Sequence, residues 1–339
     1  MTMNTRYLKH ILVAATLLLT ASCDDDLQFH TGNEDMSIAL TASINEMKDE
    51  VSRAVSTADV KTGTSTGGIT AGIWFTRVPG IYPAVDEPQA PTYIPYRSTT
   101  KYETGIPTTI FADKETKSKP LSYPVPGTTD DDYVYCIGLH PSTGWTCEGD
   151  CTYAEHEITG SDDIMFAEQQ QGSWQNPFEK QKYKHLLTWI KIEARATDPD
   201  AITHWGKLKK VTVTSPESKT RIDFASTVPG TSTVTYTGGA KEIVALEGDT
   251  DISTTAMNIG SVLCSPSNKY TLKITTENSG GEMEITVPLR DDKGNEITDN
   301  KALSTAGQLF LINLYITPFN EINAMCSLIP WNEQEIELH

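Results

Sequence analysis

Short runs in which every second residue is apolar recur along this chain, each closed by Gly, Pro, Ser, Thr or Asp, and they leave little room for anything but β-structure. Residues 36–44 (MSIALTASI) put Ile38, Leu40, Ala42 and Ile44 on one face, the period of a half-buried strand. Runs of the same kind lie at 69–78, 133–139, 185–194, 208–214, 259–264, 270–276, 283–289, 308–316 and 324–330. In 308–316, Phe310, Ile312, Leu314 and Ile316 alternate with Leu309, Leu311, Asn313 and Tyr315, so both faces are largely apolar, as in a central strand. A sustained helical period is scarce. Many short strands with Gly/Pro turns predict an all-β protein built of sandwiches.

The segment 197–203 (TDPDAIT) interrupts the pattern, and the expected boundary between two regions of similar strand content is placed there, giving 54–199 and 200–339. The stretch 79–131, rich in Pro, Thr and Tyr, is longer than an ordinary connection and is expected to be a functional excursion or to hold edge strands that its pattern hides. A length of 339 residues suits about two domains of ~100–200 residues each. Forty-five acidic against 27 basic residues, a formal charge of -18, argue against nucleic-acid binding, which depends on clustered Lys and Arg.

The first 22 residues read as an address. Arg6 and Lys9 precede an apolar run from Ile11 to Leu19, and small residues follow, the anatomy of a secretory signal peptide too short to span a bilayer. Thr20-Ala21-Ser22-Cys23 resembles the lipobox of bacterial lipoproteins, with Leu19 one place further from the cysteine than usual. The resemblance implies removal of 1–22 and acylation of Cys23, palmitate included. Asp24-Asp25-Asp26 resembles the acidic signal that sends lipoproteins of the Bacteroidetes to the outer face of the outer membrane; a solvated acidic tether is the other reading.

Motifs for catalysis are missing: there is no HExxH, GxSxG, Walker-type loop or dinucleotide fingerprint, and no enzyme activity, cofactor or metal is expected. The acidic runs 130–132 and 162–163 lack the ligand spacing of a calcium loop and read as solvated turns. An exported chain meets an oxidising compartment, so a bridge among Cys136, Cys147 and Cys151 is expected, leaving an odd thiol. Cys147 and Cys151 with His140 and His156 also have a loose metal look, and Cys264 and Cys326 read as small buried residues.

An ordered set of segments resembles the fimbrillin superfamily, the subunits of Bacteroidales type V pili. It comprises the lipobox with Cys23, the site Ser52-Arg53-Ala54-Val55, YVYCIGLHP (133–141), DIMFAE (163–168), YKHLLTWIKIEAR (183–195), GQLFLINLYITP (307–318) and a last strand ending at Pro330-Trp331. The resemblance spans nearly the whole chain and implies two tandem β-sandwich domains of transthyretin-like, Greek-key type. It further implies that an Arg-specific protease cuts between Arg53 and Ala54 and frees the lipidated segment 23–53. With that segment would go a removable first strand carrying Ile38, Leu40, Ala42 and Ile44. The emptied groove would then take a strand from the next subunit, with Met325, Ser327, Ile329 and Trp331 as donor candidates. The partners implied are other subunits, outer-membrane lipid and the protease, at the cell surface in a fimbrium. Two other readings stand beside this one: 36–44 as a permanent core strand, and a non-polymerising surface lipoprotein that binds glycan through aromatics such as Trp74, Tyr82, Tyr93, Tyr96 and Tyr102.

Overall fold

The computed structural model describes residues 37–44, 69–82, 96–102, 107–111, 120–124, 133–149, 151–318 and 321–329. Cys23, Arg53, Ala54 and Trp331 lie outside the described residues.

Strands dominate. In chain order they are β1 (Ala39–Leu40), β2 (Ala42–Ile44), β3 (Ile69–Thr76), β4 (Tyr96–Tyr102), β5 (Thr108–Thr109), β6 (Val134–His140), β7 (Tyr153–Glu157), β8 (Met165–Gly172), β9 (Gln181–His185) and β10 (Thr188–Ala196). After the short helix α1 (Pro199–Trp205) come β11 (Lys207–Ser215), β12 (Lys219–Asp223), β13 (Thr233–Thr237), β14 (Lys241–Asp251), β15 (Met257–Cys264), β16 (Lys269–Thr276) and β17 (Met283–Pro288). A 3-10 helix (Asp299–Thr305) precedes β18 (Leu309–Ile316) and β19 (Ile322–Ile329). The chain is thus all-β, as its period-2 pattern predicts.

The N-terminal part is organised by a six-stranded sheet of order β2-β9-β8-β6-β3-β4. Its middle strands are covered on both faces: in β6, Val134 and Cys136 face one cluster and Ile137 and Leu139 the other, all of them fully buried. Below one face lies the three-stranded sheet β13-β12-β7, whose Ala154 and Ile222 share the buried cluster that contains Trp74 and Phe166. There the Phe224 ring stands edge-on to Trp74 and Tyr82, at 6.0 and 5.0 Å between centroids, a favourable aromatic geometry.

Farther along the chain, sheets of order β15-β10-β18-β19 and β14-β11-β16-β17 contribute Ile190, Ile192, Phe310 and Ile312 on one side and Val211, Val213, Leu272 and Ile274 on the other to a shared core, as in a β-sandwich. β18 runs between β10, to which it is parallel, and β19, to which it is antiparallel; Phe310, Ile312, Leu314 and Ile316 are buried, whereas Leu311, Asn313 and Tyr315 on the other face are only partly covered.

The break at 197–203 is the helix α1. Asp198 caps it by accepting from the Ala201 N–H at 2.9 Å, Pro199 opens it, and Gly206 closes it at φ 67, a backbone conformation that glycine takes without steric cost. Strands do not sort by the 199/200 position: β10 lies in the sheet with β15, β18 and β19, whereas β12 and β13 pair with β7. The stretch 79–131 holds β4, an edge strand along β3, and the short β5.

Candidate functional site

The segment 37–44 turns its apolar side chains into the cluster on the second face of the six-stranded sheet and ends in β2, that sheet's edge strand. Its alternation works as the sequence suggests, since Ile38 and Leu40 are 0% exposed and Ala42 4%, and all three enter one cluster with Ile73, Phe75, Val134, Tyr183 and others. Burying the two larger side chains contributes roughly 1.5–3 kcal/mol each. Backbone bonds run along the segment as well, divided among several partners. β2 runs parallel to β9 from Ala42 opposite Gln181 to Ile44 opposite Tyr183, with Gln181 N donating to the Thr41 carbonyl at 2.7 Å. β1 runs antiparallel to β5, Ala39 opposite Thr109 and Leu40 opposite Thr108. The first strand is therefore held both by buried side chains and by short backbone pairings with several separate segments.

The floor of this groove is apolar with a few satisfied polar atoms. Tyr183 donates to Gln181 Oε1 at 3.0 Å, and Gln181 Nε2 points at Cys136 Sγ at 3.4 Å. Gly138 makes room for that arrangement, because a Cβ there would lie 2.1 Å from the Tyr183 hydroxyl. Phe178 N donates to the Tyr123 hydroxyl at 3.0 Å, and the two rings pack at 5.6 Å. Burial pushes the Cys136 thiol and the Tyr123 hydroxyl well above their ordinary ranges, so both stay neutral at any physiological pH. Every one of these residues follows position 53 in the chain.

At the other end of the chain β19 pairs with β18 along its whole length, from Leu309 opposite Ile329 to Ile316 opposite Ile322. Ile322, Ala324, Cys326 and Leu328 face the core, and Cys326, at 7% exposure, has its thiol pushed up to about 11 by burial. The donor candidates occupy the outer face: Met325 is 64% exposed, Ser327 is exposed, and Ile329 packs with Leu309 and Trp189.

Of the three cysteines considered for a bridge, Cys147 and Cys151 are joined and Cys136 is a buried free thiol. Pairing removes the metal alternative at Cys147 and Cys151, and His156 bonds instead to the carbonyls of Thr143 and Glu157. Beside the bridge, the Arg97 guanidinium lies 3.5 Å over the Trp74 ring and donates to Cys147 Sγ at 3.2 Å. Asp162 accepts from the Thr159 hydroxyl, and Asp163, nearly inaccessible, bonds to His185 Nδ1 at 2.6 Å. Among the described residues no group of three or more His, Cys, Asp or Glu side chains is placed to share a metal ion.

The glycan reading loses two of its five aromatics. Trp74 and Tyr82 are buried at 3% and 2% exposure and cannot stack on a sugar, because they form the aromatic core under Arg97 and Phe224. Tyr93 lies outside the described residues; Tyr133, at the start of β6, and Trp174, just past the end of β8, are exposed. Since Val134 pairs with Gly172, both stand at the same end of the six-stranded sheet. Sequence reading passes over Trp174 because it sits in a turn outside any alternating run.

No family model matches the chain, and no curated protein matches it in sequence. Its fold resembles that of a candidate cell adhesion protein from Bacteroides uniformis, with a TM-score of 0.50 at 18% identity over 88% of this chain and 100% of that one. A candidate cell adhesion protein from Bacteroides ovatus aligns with a TM-score of 0.43 at 16% identity, over 87% of this chain and 97% of that one. The fimbrial anchor protein Mfa2 from Porphyromonas gingivalis aligns at 0.37 and 8%, over 81% and 95%. At such identities the first likeness is one of fold, and it agrees with the all-β expectation.

Proposed function

We propose that the chain is a structural subunit or adhesin of a cell-surface fimbria, exported as a lipoprotein through Cys23 and assembled by strand exchange. On this reading an Arg-specific protease cuts between Arg53 and Ala54, and the segment with Ile38, Leu40, Ala42 and Ile44 leaves. The observation that carries the proposal is the construction of 37–44. It precedes Arg53, fills a deep apolar groove with Ile38, Leu40 and Ala42, and ends as the edge strand beside β9. An emptied groove of this kind exposes apolar surface and unpaired backbone groups, a strong drive to take up another strand. A strand from a further subunit fits the need.

Donation by Met325, Ser327 and Ile329 requires β19 to leave β18, exposing the inward Ala324, Cys326 and Leu328. An equal burial in the acceptor groove offsets that loss. N-terminal sequencing of the protein taken from the cell surface, with a test for detergent-resistant ladders, decides the matter. A start at Ala54 with a ladder is expected; a start at Cys23 without one overturns the proposal.

A second reading has its own support. Tyr133 and Trp174, exposed at one end of the six-stranded sheet, suit ligand contact by a protein that need not polymerise. Trp174→Ala on a glycan array tests it: binding by the unaltered chain that disappears in the variant is expected, and no binding by either sinks the idea.

A further inference from the structure

The backbone around Ile38 closes on itself. Ile38 N donates to the Leu121 carbonyl at 2.6 Å, Leu121 N to the Ile110 carbonyl at 2.8 Å, and Ile110 N to the Ile38 carbonyl at 2.9 Å. Each of the three residues gives one hydrogen bond and takes one, and their side chains are 0%, 1% and 1% exposed. The three vertices come from parts of the chain far apart in sequence: the first strand, the residue after β5, and a segment bridged at Phe111 to Pro120 and at Ser37 to Ser122. Two of the vertices follow position 53 and one precedes it.

We infer that position 38 is the register lock of the first-strand groove: whatever strand fills the groove must bring the N–H and the carbonyl of a single apolar residue into this ring. The inference rests on the strand-exchange reading for the identity of the filling strand, a segment of a second copy, but the ring itself belongs to the single chain. Its chemistry is selective in three ways. Proline is excluded at the ring position, because it has no N–H to give Leu121. A polar side chain is excluded because it would sit in the fully buried cluster without a partner. A slip by one residue is excluded because it turns Ile38, Leu40 and Ala42 out of the groove together. With the strand gone, the Leu121 carbonyl and the Ile110 N–H each lose a partner while still lying among apolar side chains, so 107–111 and 120–124 are left joined by a single bond of the three. The ring therefore couples the order of these two segments to an occupied groove, and it rejects strands that cannot complete it. In the last strand-like run of the chain this excludes Pro330 from the ring position.

Amide hydrogen exchange on the uncut full chain tests the lock without any assembly. In the unaltered protein the Ile110 and Leu121 amides are expected to exchange at rates within about tenfold of each other, as one opening unit. Ile38→Pro is expected to speed exchange at both by about tenfold or more while the Ile73 and Cys136 amides in β3 and β6 keep their protection. Ile38→Ala, which keeps the N–H and the carbonyl, is expected to leave the Ile110 and Leu121 rates several times closer to the unaltered chain than Ile38→Pro does. Unchanged rates in Ile38→Pro, equal effects of the two variants, or widely different rates for the two amides in the unaltered chain would each overturn the inference. Should Ile38→Pro fail to fold, the last two-amide comparison still decides. A chain that never polymerises can pass this test, and one that polymerises can fail it, so the lock and the strand-exchange reading stand or fall separately.

Discussion

The first and last described strands are both sheet edges, yet they are built in opposite ways. The segment 37–44 pairs with β9 over three residues and with β5 over two, bonds to Leu121 and Ile110 through Ile38, and buries Ile38, Leu40 and Ala42. β19 pairs with β18 over its whole length and leaves Met325 64% exposed on an open outer face. The one is held by buried side chains and by short pairings divided among several segments, the other by one continuous ladder and half of its side chains. A strand that can replace the first must match both its row of pockets and its ring bonds, whereas β19 is tied to a single neighbour and has a face to spare.

The comparison breaks most visibly at the level of assembly. Arg53→Ala is expected to abolish detergent-resistant ladders altogether, with the surface protein still starting at Cys23; ladders of normal size from this variant would remove Arg53 from the pathway. A cross-strand disulfide from Asn313→Cys with Met325→Cys, at a directly opposed pair of β18 and β19, asks whether β19 itself must move. If residues 325–329 are donated, the oxidised protein is expected not to assemble and the reduced protein to recover. Assembly by the oxidised form would place the donor beyond Ile329.

Stability sharpens the same contrast. Leu40→Ala is expected to cost about 2–5 kcal/mol in chemical unfolding, because it leaves a cavity in a closed cluster. Met325→Ala is expected to change stability by no more than about 0.5 kcal/mol, as an exposed position should. Similar costs at the two sites would mean that the first strand is not held by its pockets. Opening the Cys147–Cys151 bridge with Cys147→Ser is expected to cost about 2 kcal/mol, the scale set by so short a loop. That change lies outside the groove and should leave the protection of the Leu121 amide as it was.

The smallest effect concerns a face that neither strand touches. Hydrogen bonds from Lys209 and Lys273 hold the Asp249 and Glu242 carboxyls below their ordinary values, on the exposed side of the sheet β14-β11-β16-β17. Because these folded-state values are depressed, the contribution is present above the ordinary carboxylate range and is lost as the pH falls through the depressed values, below about 4. A slight fall in Tm on acidification, smaller in Lys273→Ala and in high salt, is the expected reading. An identical acid response in the variant would show that Glu242 gains nothing from Lys273.

Much of this was legible beforehand where pattern and burial coincide. The runs at 69–78, 133–139, 208–214, 270–276 and 308–316 became β3, β6, β11, β16 and β18 because alternate apolar residues have one face to bury. β13 escaped because Thr233, Thr235 and Thr237 alternate with Val234 and Tyr236 in a stretch otherwise full of Gly, Pro and Ser, and its weak apolar face is only partly covered. Ile110 and Leu121 left no signal, since both lie in the irregular stretch 79–131, and what joins them to Ile38 is backbone hydrogen bonding, which carries no side-chain code.

Residue order alone settled that the chain is all-β, that the pattern of 36–44 turns Ile38, Leu40 and Ala42 to one face, and that Phe310, Ile312, Leu314 and Ile316 share one face of β18, because a period of two is a local property. Only the tertiary structure decided that Trp74 and Tyr82 are core and Trp174 is surface, that Cys151 pairs with Cys147 and not Cys136, and that Ile38 closes a ring with Ile110 and Leu121. Those outcomes depend on which distant segments meet, and the burial and hydrogen bonding that select them exist only once the chain has folded.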